Sequence, residues 1–430
     1  MKVIIAGAGI GGLTAALSLQ RAGIDCVVYE SVAQIKPLGV GLNILPHAAR
    51  EFIELGLEEE IDKFAIRTTA MNYYTGEGRL VISQPCGLHA GYRWPQWSVL
   101  RGDMQMLLLD TFRERAGAEK VISDARLVGF TETVNGRVRV EFERHGGSRL
   151  FDEGDVLVGA DGLHSATRRS LYPNEGAPVY SGMVLYRCAV ETDQYLDGKT
   201  MVIIGDKALK IVAYPISKRL QDAGEGKSLV NWIAALTMDE NKAPTEDWDK
   251  VSEQQRLLPL YKDWQFDWID VPKMMRESER ILEFPLYDRD PLDRWSFGRV
   301  TLLGDAAHPL IPVSSNGAVQ AIIDGRALAY ALASEGSPEA GLRAYEADRL
   351  ERANAVVRSS RQNGPDEVLE IVKRRCPPGA ANIHDCVPLA ELQQVIDDFK
   401  ERAGFGLHTL NNRRSYNVGQ DSGPASDPAA

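Results

Sequence analysis

Six residues near the start of the chain, Gly7-Ala8-Gly9-Ile10-Gly11-Gly12, follow a short apolar, β-branched run, Lys2–Ala6. A helical pattern then begins, carried by Leu13, Ala16, Leu17 and Leu19, and a second apolar run ends in an acid, Glu30. Strand, glycine turn, helix and an acid about 20 residues on form the context in which G-x-G-x-x-G binds a dinucleotide. Gly7 permits the tight turn, Gly9 lets the backbone approach a pyrophosphate, and Gly12 lets the helix pack closely on the strand. The helix N-terminus faces the anion, and Glu30 accepts hydrogen bonds from a ribose. The bland alternative is an ordinary glycine turn in an α/β core.

Three more groups stand behind this fingerprint in order. Arg101 lies where an extended run, Val99-Leu100, gives way to a helix with apolar positions Met104, Leu107, Leu108 and Phe112. Gly159-Ala160-Asp161-Gly162 follows the apolar run Val156–Val158. Gly304-Asp305-Ala306-Ala307-His308-Pro309 follows Val300–Leu303, with Pro312 and Asn316-Gly317 shortly after. Taken singly, Arg101 reads equally as a solvated charge and the other two as plain turns. One apparent motif is a decoy. Gly224-Glu225-Gly226-Lys227-Ser228 ends like a P-loop, but Gln221 stands where that pattern needs glycine and no helix signal follows.

Together these motifs resemble the flavin-dependent aromatic hydroxylases, the single-component monooxygenases typified by para-hydroxybenzoate hydroxylase, from residue 2 to about 361. Within that family the wording is most similar to the phenazine hydroxylase subgroup. The matching stretches include Pro37–Gly41, Gly198–Met201, Val212–Ile216, Gly226–Trp232 and Asp288–Leu292, whereas Pro365 to about Gly404 ends differently. The resemblance implies FAD as cofactor, with Gly9, Gly11, Gly12 and Glu30 at its ADP half and Gly41 beside it. It implies Arg101 near the flavin phosphates and Asp161 supporting both FAD and a passing nicotinamide cofactor. Asp305 is then expected on the ribityl or ribose hydroxyls, and Asn316 and Gly317 present N–H groups to the isoalloxazine. These residue types suit the task, because a diphosphate needs backbone donors and positive charge. A developing negative charge on a reduced ring needs fixed dipoles. Ser314 departs from the glycine usual in the family.

The implied reaction uses NADH or NADPH and O2 to hydroxylate a small aromatic or N-heteroaromatic ring through a flavin C4a-hydroperoxide. The chain has no second G-x-G-x-x-G for the nicotinamide cofactor, as in that family. Such chemistry requires a pocket that excludes water and stabilises an electron-rich ring. Tyr214 is the preferred hydrogen-bond partner for the ring, and Asn43 is expected to face flavin and substrate, both as catalytic residues. Tyr186, Arg187 and Trp232 are candidates for the substrate wall, Arg187 as a carboxylate partner. A packed core tyrosine is the competing reading for Tyr214. His308 is read as serving loop structure and His47 as lying on a helix surface. Trp94-Pro95-Gln96-Trp97 reads first as core.

These residues demand a scaffold larger than one simple core, and 430 residues suffice for two domains or more. The expected class is α/β: a Rossmann-like, glutathione-reductase-type FAD domain with an inserted mixed antiparallel-sheet substrate domain and a helical C-terminal extension. The FAD domain is expected to draw on 1–70, 98–178 and 285–360, and the substrate domain on 71–97 and 179–284. The extension is expected over 361–411, as a cap on the active site or a dimer contact. A disordered tail is expected over 412–430, where Gly, Ser, Pro and Asp dominate. A net charge of −11 argues against nucleic acid, and no apolar run is long enough to cross a bilayer. Five scattered cysteines without a C-x-x-C pair indicate no disulfide framework or zinc site and fit a reducing cytoplasm; the chain is expected as a monomer or homodimer. A halogenase or Baeyer–Villiger-like enzyme on the same scaffold, or a non-catalytic flavin-binding protein, remains the alternative. The first is weakened by the missing W-x-W-x-I-P motif.

Overall fold

The computed structural model describes residues 1–37, 39–238, 250–252, 254–312, 315–362, 364–377 and 379–419. Lys2–Ala6, Asp25–Tyr29, Val121–Ile122, Val156–Gly159 and Val300–Leu302 pair in parallel, and Ser296–Phe297 closes one edge antiparallel. These strands are near-continuous Val/Ile/Leu runs because helices or a second sheet cover both faces. Ile10–Arg21 packs against the long helix Asn316–Ser334. Gly325 permits this, since a Cβ there would lie 2.7 Å from the Ala15 backbone nitrogen. The other face is covered by an antiparallel sheet of Arg126–Glu132, Val138–Glu143 and Arg149–Gly154.

A second, eight-stranded sheet runs in the order 251–252, 281–288, 179–193, 227–237, 209–215, 201–205, 70–74, 80–85. It is antiparallel except where Met201–Gly205 meets Ala70–Tyr74. The strand Ile281–Asp288 runs through the expected domain boundary at 284/285. Lys227, the lysine of the decoy motif, opens a strand and pairs with Asp193. One face of this sheet is buried by the helices Gln254–Tyr261 and Val271–Arg276. On the other face, Leu185 and Ala235 pack on Ile311, which follows the Gly304–Pro309 motif.

The C-terminal extension is helical, with Glu367–Arg375, Ile383–Cys386, Leu389–Arg402 and Leu407–Asn412 packed on the outer strands of this sheet and on the FAD-type domain. Residues 413–417 depart from the expectation of disorder. Arg413 pairs with Glu51, Ser415 Oγ donates to Glu54 at 2.7 Å, and Tyr416 OH donates to Asp348 at 2.6 Å. Asn417 Oδ1 accepts from Arg326 at 2.8 Å. Composition missed this strap because its side chains meet charged groups, Glu51 and Arg326 buried and Glu54 and Asp348 partly so; residues 420–430 lie outside the described part. His47 is corrected for the same reason. The helix Pro46–Glu54 is covered on its outer side, and His47 is fully buried and stacked on Phe405 with ring centroids 4.7 Å apart.

Candidate active site

The glycine loop is shaped by what surrounds it. Gly7 has φ +112°, and a Cβ there would lie 2.3 Å from the Ala160 carbonyl oxygen. A Cβ on Gly12 would lie 2.0 Å from the Gly7 oxygen, so helix and loop touch backbone to backbone. Gly11 faces Ala321 of the Asn316–Ser334 helix, so its missing side chain serves helix packing. Gly9 is different: a Cβ there meets nothing within 4 Å. Gly9, Glu30 and Asp161 line an open pocket of about 600 Å³, with Arg126, His164 and Arg169 among its other walls.

Glu30 is oriented by the Ala8 N–H at 2.8 Å and the Val32 N–H at 3.0 Å, which leaves lone pairs for a diol. Asp161 accepts from the Ala166 and Thr167 N–H groups and the Ser165 hydroxyl, capping the helix Ala166–Leu171. Its carboxylate therefore shapes the pocket wall. From the same helix Arg168 reaches the Ala306 and Ala307 carbonyls and ion-pairs with Glu175, tying this wall to the Gly304 loop. That loop is also held by Asp324, which accepts from the Gly304 N–H, from Arg349 at 2.8 Å and meets His308 at 2.5 Å. His308 is thus a buried loop tie, as its motif suggests. Burial alone would raise the Asp324 pKa, but the facing His308 and Arg349 lower it.

The strand Gly41–Ile44 carries the second part of the site. Gly41 N–H donates to Asn231 Oδ1 at 2.7 Å and its carbonyl accepts from Arg187 at 2.9 Å. A Cβ on Gly41 would lie 2.6 Å from Asn231 and 2.7 Å from the Tyr214 ring, so only glycine allows this approach to the sheet. Arg101 opens the helix Arg101–Ala116, and its N–H donates to the Val40 carbonyl. The Nε atoms of Arg101 and Arg187 are buried without a hydrogen-bond partner. Burial, reinforced by the Arg101 charge, lowers the Arg187 pKa. Burial pushes Tyr214 up to about 12, against the pull of Arg187. Two neighbouring guanidinium groups with idle donors mark a place for an anionic group.

Asn43 is buried, accepts from Ser98 at 2.7 Å and points its amide at Ser315 Oγ, 3.4 Å away. Ser315 has φ +58°, a strained setting for a side-chain residue, immediately before the helix Asn316–Ser334. Asp305 sits across from that helix start, its Oδ1 4.0 Å from an ideal Cβ on Gly317. Ser314, the departure noted in the sequence, lies outside the described residues. Asn43 and Ser315 open into a cavity walled by Leu45, Met71, Tyr73, Met201 and Ile203, with Phe399 and Phe405 supplied by the C-terminal extension. Gln96 of the tryptophan-rich patch also lines it, while Trp97 is buried with its Nε1 bonded to Asp62.

Two substrate-wall assignments are overturned by the register of the sheet. Trp232 pairs opposite Cys188 and Ala213, on the face covered by Gln254–Tyr261 and Val271–Arg276, where its Nε1 donates to Ser278 at 2.9 Å. Tyr186 lies on that same face, opposite Ala234. Because side chains alternate, Arg187, Asn231 and Tyr214 point the other way, toward Gly41. Tyr214 is not among the cavity-lining residues; its ring supports the Gly41 strand. Asn231, which the sequence reading missed, stands between two apolar neighbours in a strand, the one signal that could have exposed it.

Residues 1–360 match the family model of the FAD binding domain. The chain belongs to this family of FAD-binding aromatic hydroxylases and is a flavin-dependent monooxygenase, the family in which NAD(P)H is the usual reductant. It is 41% identical over 369 residues to phenazine 1,6-dicarboxylic acid hydroxylase of Lysobacter antibioticus, covering 85% of this chain and 90% of that one. It is 32% identical over 399 residues to 3-amino-4-hydroxybenzoate 2-monooxygenase of Streptomyces platensis, covering 89% and 94%. The crystal structure of Klebsiella pneumoniae HpxO with FAD and uric acid superposes with a TM-score of 0.73 at 25% identity, covering 95% and 96%. The open space at Gly9, the oriented Glu30 and the idle Arg101 donor fit FAD as the group to be held. No helix among the described residues is long and apolar enough to cross a membrane.

Proposed function

We propose that the enzyme hydroxylates a planar aromatic or N-heteroaromatic carboxylic acid with NADH or NADPH and O2. The observation that carries this reading is the apolar cavity that begins at Asn43 and Ser315, beside the Asn316–Ser334 helix start, and runs between Met201 and Phe399. The named relatives act on a phenazine dicarboxylic acid and an amino-hydroxybenzoate, and a 3-hydroxybenzoate 6-hydroxylase is 30% identical over 371 residues.

Bound FAD supplies the electron relay and the activation of oxygen. The chain supplies the rest. Gly9 and the N-terminus of Ile10–Arg21 take the diphosphate, and Glu30 takes a ribose. Arg101, Asp305 and the N–H groups of Asn316 and Gly317 serve the flavin end. Asn43 is the residue that faces both ring systems, while Tyr214, Asn231 and Arg187 fix the Gly41 strand on which Asn43 rides. Met71, Tyr73, Met201, Ile203 and Phe399 keep water away, which the oxygen chemistry requires. Cys86 contributes no nucleophile, because burial pushes its thiol up to about 12. The five free cysteines fit a cytoplasmic enzyme.

The test is NAD(P)H oxidation by the yellow protein with and without candidate acids, followed by mass spectrometry of the products. Stimulated oxidation with a hydroxylated acid as product is expected; turnover of halide or of ketones in place of aromatic acids would overturn the reading.

A further inference from the structure

The far end of the cavity is closed by a lysine. Lys400, in the last turn of Leu389–Arg402, lines the cavity together with Gln84, Ile396 and Phe399. Its Nζ donates to Gln84 Oε1 at 3.3 Å, and the acidic Asp397 stands 3.9 Å away with a half-exposed side chain. Gln84 is buried and is also bonded by Gln393 of the same helix, so its amide is held in place. A lysine in such surroundings is costly, and burial lowers its pKa despite the opposing charge of Asp397. The remaining walls, including Met71, Tyr73, Pro85 and Phe405, provide no anion.

We infer that Lys400, supported by Gln84, binds the carboxylate of the substrate and thereby selects aromatic acids over their neutral analogues. This rests on the hydroxylase reading above. The ring then lies between the apolar walls, with the carboxylate at the C-terminal helix and the opposite edge toward Asn43 and Ser315. Arg187, expected from the sequence to fill this role, is bound to the Gly41 carbonyl and is absent from the cavity wall. The selecting group thus sits in the extension beyond residue 360, outside the part that matches the family model.

The experiment uses the FAD-loaded full chain with phenazine-1,6-dicarboxylic acid and 3-hydroxybenzoate, each beside its primary amide. A lost charge-assisted hydrogen bond corresponds to a change of about 10- to 150-fold. The wild type is expected to prefer acid to amide by about that factor in KM. Lys400→Met is expected to raise KM for the acid by about that factor and to leave KM for the amide within about twofold, with Lys400→Arg recovering part of the loss. FAD affinity and melting temperature report folding. If Lys400→Met folds poorly, the acid-to-amide ratio of the wild type and of Lys400→Arg still decides. Equal KM values for acid and amide in the wild type, or an unchanged acid KM in Lys400→Met, would overturn the role of Lys400 while leaving the hydroxylase reading intact. A wild type that holds FAD but hydroxylates neither the acids nor the amides would sink the hydroxylase reading itself, and this inference with it.

Discussion

Gly9 and Gly12 belong to one fingerprint, yet the structure predicts opposite consequences when each receives a methyl group. At Gly9 the backbone is extended, with φ −70° and ψ 175°, and a new Cβ meets nothing. Gly9→Ala therefore costs the apoprotein only the poorer helix cap, about 0.5–1 kcal/mol. The methyl instead occupies the space in which the diphosphate must approach the helix N-terminus. Losing one charge-assisted bond there costs about 1.5–3 kcal/mol, or roughly a 10- to 150-fold weaker FAD complex. At Gly12 the same methyl would lie 2.0 Å from the Gly7 carbonyl oxygen, a backbone atom that cannot step aside. Overpacking of that kind costs about 1–3 kcal/mol or more in the apoprotein itself. At about 1 °C per kcal/mol for a chain of 430 residues, Gly12→Ala lowers the melting temperature of the apoprotein by about 1–3 °C. The assay pairs thermal unfolding of both apoproteins with titration of FAD followed by tryptophan fluorescence. Wild-type FAD affinity in Gly9→Ala, or equal loss of apoprotein stability in both variants, would refute the reasoning.

Other perturbations separate the remaining parts of the account. The pKa of His47 is lowered to about 3, first by burial and then by the Arg413 charge, with the Asn316 amide opposing and Arg349 adding to the fall. The unfolded chain takes up this proton below about pH 6.5 and the folded one does not. The stability is therefore fully present above that pH and falls by about 1.4 kcal/mol per unit toward pH 3. Urea titrations of wild type and His47→Gln at several pH values check this, since the variant loses one proton's worth of slope. Arg168→Met leaves Glu175 to Arg289 and removes the donor to the buried Ala306 and Ala307 carbonyls, which costs about 1–3 kcal/mol for each carbonyl and loosens the Asp305 loop. Calorimetry reads the loss, and FAD release on dilution reads the loosening. Tyr214→Phe keeps the ring that supports Gly41. FAD affinity is expected within about threefold of wild type, whereas Tyr214→Ala opens a cavity costing about 3–5 kcal/mol. Fluorescence titration and thermal melts distinguish the two.

The cofactor half of the site was legible because it is written in backbone requirements. Gly7, Gly9 and Gly12 are demanded by turn, open space and close approach, and such demands leave few residue choices. The substrate half was less legible for two physical reasons. Strand alternation tells which residues share a face but not which face meets the cofactor, so Trp232 and Tyr186 read as wall residues until the phase of the sheet is known. Lys400 and Phe405 look like ordinary helix and loop residues, and only tertiary packing brings them to a cavity that begins at Asn43. The strap after 412 failed on composition alone, since Glu51, Glu54 and Arg326, which receive it, are distant in sequence.

Hydroxylation at this site requires that one atom of dioxygen enter an aromatic acid held beside Asn43. Purified protein, reconstituted with FAD and supplied with NADH or NADPH, an aromatic carboxylic acid and isotopically labelled dioxygen, provides the direct measurement. A product carrying one labelled oxygen on the ring is the result required. A reduced cofactor pool that is consumed only to hydrogen peroxide, with no label in any aromatic product across the acids, would contradict it.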